Sequence, residues 1–110
     1  MLDETISKIE ARIENSGAFN DAHRAELLRL LGQLKTEVGA LSKTHQEHAE
    51  SIASFAEISA REATREARNP QLIGHSIGGL ESSVDGFEES HPGLVSVVNR
   101  IASMLANMGI

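Results

Sequence analysis

The sequence predicts an all-α protein, and three features carry that expectation. Leu27, Leu31, Leu34, Val38, Leu41, His45, His48, Ile52 and Phe55 follow one another at alternating steps of four and three. Ile73, Ile77, Leu80, Val84, Phe87, His91, Leu94, Val98, Ile101, Leu105 and Met108 repeat that alternation. Steps of this kind average about 3.5 residues, which keeps one apolar stripe of an α-helix facing a partner helix. Third, no stretch keeps up the period of two that a half-buried strand requires. Long helices packed side by side are the expected architecture.

The first helix is expected over about residues 2–15, with Leu2, Ile6, Ile9 and Ile13 on one stripe. Ser16-Gly17 stops it, because glycine tolerates the left-handed backbone found just past helix ends. Asn20 or Asp21 caps the second helix by accepting a bond from its free amides. That helix is expected over about residues 21–68, roughly 70 Å at 1.5 Å per residue. A break near Gly39–Thr44 is the alternative. Within it, Ala49, Ala53, Ala56, Ala60, Ala63 and Ala67 form a row of their own beside Ile52 and Phe55. Small side chains let a neighbouring backbone approach, and Gly74, Gly78 and Gly79 mark the expected neighbour. The pairs Glu57–Arg61 and Glu62–Arg65 read as salt-bridged surface. Asn69-Pro70 ends the helix, since proline pushes the residue before it out of the α region. Two further helices are expected over about 71–90 and 92–108, with Ser90 or His91 capping and Pro92 in the first turn.

A reversal at Asn69-Pro70 would set Met108 level with Leu31, Ile101 with Val38 and His91 with His48. Leu105, Met108 and Ile110 would then close one end against Leu27, Leu31 and the first helix. That end is three helices thick. The other end, around Ile52, Phe55, Ile77 and Leu80, is only two helices thick and would need a second chain to cover it. The expectation is an elongated antiparallel helical hairpin with a short N-terminal helix and coiled-coil-like seams, completed by oligomerisation.

Composition narrows the function classes. A chain of 110 residues fits one helical domain spanning 1–110. It has no cysteine, which excludes disulfides and thiolate chemistry. It has no tryptophan or tyrosine, and Phe19, Phe55 and Phe87 are its aromatic residues, so base-stacking platforms are nearly absent. The formal charge of −6 argues against a nucleic-acid binder, which needs a basic face to release counterions. Met1-Leu2-Asp3-Glu4-Thr5 has neither the cationic start nor the apolar run of a secretory signal. No window approaches the ~20 apolar residues of a membrane span, and no helix pairs an apolar face with a basic one. A cytoplasmic protein of bacterial type, with no membrane partner, is expected.

The segment Gly86-Phe87-Glu88-Glu89-Ser90-His91-Pro92 continues to Arg100-Ile101-Ala102 and ends Leu105-Ala106-Asn107-Met108-Gly109-Ile110. It resembles a family of short uncharacterised bacterial proteins with a Phe-Glu-x-Ser-His-Pro junction and a Gly-Ile C-terminus. Ala25-Glu26-Leu27-Leu28-Arg29-Leu30-Leu31 is similar to that family's first half. The resemblance covers about half the chain. The alanine-rich middle and the glycines at 74, 78 and 79 lie outside it. The family is a domain of unknown function, so the resemblance implies an all-α fold and transfers no activity.

The candidate chemistry is sparse. Gly74-x-x-x-Gly78-Gly79 lacks the lysine and preceding strand of a phosphate loop. No serine sits in a Gly-x-Ser-x-Gly setting. Glu88-x-x-His91 copies one half of a carboxylate di-iron site, but the matching second half is missing. No catalytic residue and no cofactor is assigned. His45 and His48 occupy seam positions three residues apart, with His91 expected opposite them and Glu88 nearby. As polar seam residues they would fix helix register in one buried cluster; as ligands, His45, His48, His91 and Glu88 are the weak metal candidates. His23 and His75 fall off the seams and are expected in solvent. The functional expectation is a non-enzymatic oligomerisation or interaction protein whose partners are a second copy of itself, as a homodimer, and another protein. The alternative is a small metal- or ligand-binding helical bundle.

Overall fold

The computed structural model describes residues 2–108, and every regular element among them is a helix: α1 (Leu2–Asn15), α2 (Asp21–Ser42), α3 (Gln46–Thr64), α4 (Pro70–Ser82) and α5 (Pro92–Met108). The expected helix over 21–68 is two helices. The chain turns back at Lys43-Thr44-His45, the alternative break, and α3 ends at Thr64 instead of running to 68. The expected helix over 71–90 stops at Ser82, and residues 83–91 form a turn-rich connection to α5. The molecule measures 37 × 24 × 22 Å, so the 70 Å rod and the elongated hairpin are both replaced.

Capping follows the sequence closely. The Asn20 side chain accepts from the His23 amide at 2.8 Å and starts α2. Asn69 accepts from the Gln71 and Leu72 amides, with Pro70 in the first turn of α4. One residue with no sequence signal ties the α1–α2 turn together. The Arg24 guanidinium donates to the carbonyls of Ile13, Ser16 and Phe19 and pairs with Asp21 at 2.9 Å. It satisfies carbonyls that the end of α1 leaves without helical partners.

Helix α3 is the axis of the bundle. Its Cα atoms come within 8 Å of all four other helices, and around it run α1, α2, α5 and α4 in order. The alanine row explains this position. Ala49, Ala53, Ala56, Ala60 and Ala63 are buried, and their small side chains let neighbours close in on several sides. Only Ala67 of the row lies in solvent, beyond the helix end. The large core side chains come from the surrounding helices, among them Ile6, Ile13, Leu27, Leu31, Leu34, Leu41, Leu80, Leu94 and Ile101.

This arrangement removes the uncovered two-helix end. Ile52, Ile77 and Leu80 are buried within one chain, and only Phe55 of that group stays partly exposed. Leu105 is buried as expected and Met108 packs on the core. The C-terminal end of α5 meets α2, α3 and α4, however, and does not reach α1. Arg68 fastens it by donating to the Met108 carbonyl at 2.6 Å. Ile110 lies outside the described residues.

The expected glycine face is also revised. A Cβ on Gly74 or Gly78 would meet no other atom within 4 Å, so these glycines face open space, away from the alanine row. Gly79 alone makes a close approach, its α-carbon lying under the Phe55 ring. Because mid-helix glycine costs about 1 kcal/mol relative to alanine, Gly74→Ala and Gly78→Ala should each stabilise α4 by up to that amount. Gly79→Ala should gain less, since its methyl must first push the Phe55 ring outward. Thermal melts of the three variants check the order; equal gains would show that Phe55 does not rest on Gly79.

Candidate functional site

Two places in the fold merit the term. The first is the histidine cluster. His45 stands at the N-terminus of α3, His48 lies in its first turn, and His91 precedes Pro92 at the start of α5. The α2–α3 turn and the 83–91 connection therefore bring all three to one end of the bundle. They stand edge-on around Phe87, with ring centroids 5.5, 5.5 and 5.7 Å from it. His45 lies 5.9 Å from His48 and 6.4 Å from His91. The expected cluster forms.

Its burial does not. His45 and His48 are exposed, His91 is half-buried, and Phe87 is the buried member. The seam register passes through these positions, but at a helix corner a seam position can face water. The Nδ1 atoms of His45 and His91 are hydrogen-bonded to the hydroxyls of Thr44 and Ser90, at 2.8 and 2.9 Å. Glu88 closes the turn by accepting from the Gly86 amide at 2.9 Å, where Gly86 takes a φ of +93°. Among the described residues, no group of three or more His, Asp and Glu side chains is placed to hold a metal ion. The arrangement is an aromatic contact tying two chain turns together. His23 and His75 are in solvent, as expected.

The second place is the outer side of α3. No Cα of α1 comes within 8 Å of α4, so the ring of helices around α3 is open between them. Through that opening α3 presents Glu47, Ser51, Ser54 and Arg61 to solvent, with Ile58 half-buried. Phe55 and Leu72, the large apolar side chains most exposed among the described residues, are 36% and 43% accessible. They sit on α3 and α4, the helices that form the floor and one wall of the opening. On the opposite wall, Lys8, Arg12 and Asn15 of α1 stand beside Glu57 and Thr64. Sequence reasoning missed this surface, because it placed α3 in line with α2.

The electrostatics beside it also differ from the expected surface pairs. Glu62 is buried, and its carboxylate accepts from Arg65 at 2.9 and 3.2 Å while Arg61 stands 3.7 Å away. Arg61 thus turns to Glu62 instead of Glu57. Elsewhere, the hydrogen bond from Arg29 holds the Glu26 carboxyl below the usual carboxylate range, with the Arg29 and Arg100 charges adding to it. The Glu26–Arg100 contact, at 3.7 Å, joins α2 to α5, away from the opening.

A family model described as a domain of unknown function, DUF4404, matches residues 2–110. The chain belongs to the DUF4404 family. The match covers both the alanine-rich α3 and the glycines of α4, which the sequence resemblance left out. No curated protein and no solved structure matches the chain. Among the described residues of this DUF4404 chain, no helix is long and apolar enough to cross a membrane.

Proposed function

We propose that this DUF4404 chain is a non-enzymatic interaction protein that works by helix-on-helix docking at the open side of α3. One observation carries the reading: the ring of helices around α3 has a vacant position, and the two most exposed large apolar residues flank it. A helix normally buries such residues against a neighbour, and exposed apolar groups gathered on one side of a domain mark contact surfaces. The middle of the open face of α3 is small and apolar, with Ser51, Ser54, Phe55 and Ile58, and the charged Glu47 and Arg61 stand toward its two ends, as charges border many protein contacts.

The test is photo-crosslinking in the cell. With Ser54 replaced by a photo-reactive amino acid, irradiation should give a discrete protein adduct; the same residue at Ser103, exposed on α5, should not. No adduct at either position, or adducts equally at both, would overturn the reading.

A further inference from the structure

The occupant of the opening can be named, on the reading just given. Along α3 and into its C-cap, Glu47, Ser51, Ser54, Ile58, Arg61 and finally the cap residue Arg65 follow at steps of four, three, four, three and four. This is a heptad stripe like those of the core, but it faces outward. Its chemistry is graded. A carboxylate lies toward the N-terminus, small serines in the middle, and guanidinium groups toward the C-terminus.

The gradation is symmetric about Ser54. Glu47 and Arg61 each lie seven residues from it, about 10.5 Å along the helix axis. A stripe with an acid on one side of its midpoint and a base on the other is complementary to itself when turned end for end. Among the described residues Glu47 has no hydrogen-bond or ion-pair partner. Arg61 and Arg65 share the single carboxylate of Glu62, which leaves one positive charge over.

We propose that a second copy of this chain docks here, α3 against α3 and antiparallel, with a two-fold axis at Ser54. Glu47 of each copy meets Arg61 of the other. The serines at the axis let the two helices come close, and Phe55 and Leu72 of each copy are covered at the edge of the contact. A two-fold contact of this kind is isologous and closes at two copies.

The chain has no cysteine, so Ser54→Cys introduces a single thiol. Mild oxidation should convert that variant to a covalent dimer, because a disulfide spans Cα atoms only about 4.4–6.8 Å apart. Ser103→Cys should stay monomeric. In sedimentation equilibrium, Glu47→Arg and Arg61→Glu should each weaken self-association by roughly tenfold. Mixed together, the two reversals should restore it, because in the mixed dimer both pairs again join opposite charges. A monomeric parent, equal crosslinking at 54 and 103, or association unmoved by either reversal overturns the proposal. A cellular adduct at Ser54 whose mass is not that of a dimer would also overturn it, while leaving the interaction reading in place.

Discussion

Ile52→Ala should cost about 2–5 kcal/mol of folding stability, against a typical total of about 5–15 kcal/mol for a domain. Ile52 is fully buried and is the largest side chain on the buried face of α3, which otherwise carries alanines, Ser59 and Glu62. Its removal leaves a cavity in the middle of the bundle that four surrounding helices cannot close together. Ile58→Ala, on the same helix but facing the opening, should cost far less. Urea titrations of both variants check this. Similar midpoints for the two would show that α3 does not hold the axial position.

Deleting residues 105–110 should be comparably severe. The deletion removes Leu105, which is buried, and Met108, whose carbonyl holds Arg68. A fully buried leucine contributes about 1.5–3 kcal/mol, and the Arg68 hydrogen bond, which is exposed to solvent, adds less. The loss should appear as a lower melting temperature with helical signal reduced beyond the deleted segment. A truncated chain that melts with the parent would mean that α5 contributes nothing past Met104.

The core was legible because the seam positions of the second half are nearly all buried, from Ile73 through Leu105, even where the helix is interrupted. An uninterrupted register suggests an uninterrupted or collinear helix. The two are separable, since a turn that conserves phase returns the next helix with the same stripe inward. The corner at Lys43-Thr44-His45 was legible only as the alternative break near Gly39–Thr44, because the register runs on through it and no proline or glycine lies in the turn itself. Gly32 and Gly39, the residues that weaken a helix intrinsically, both remain within α2, where packing overrides propensity. A further sign is chemical: His45 and His48 fill two successive seam positions, and an apolar stripe interrupted twice in a row is a stripe leaving the core.

The candidate surface was illegible for a different reason. Glu47, Ser51, Ser54, Ile58, Arg61 and Arg65 look like ordinary solvated helix until it is known that the helix carrying them is the axial one. Topology, not composition, makes that face unusual. The buried Ser59, whose hydroxyl finds no partner among the described residues, belongs to the same logic. At that position the small size of serine is used, at the cost of an unmade bond.

The axial placement of α3 bears on how the molecule comes apart. Each outer helix rests on α3, whereas α1 touches neither α4 nor α5, and α2 does not touch α4. The outer helices also meet in neighbouring pairs, α1 with α2, α2 with α5 and α5 with α4, but α3 is the one helix that all of them share. A bundle organised around one thin strut should therefore come apart as a single cooperative unit, with the amides of α3 protected as strongly as any in the molecule.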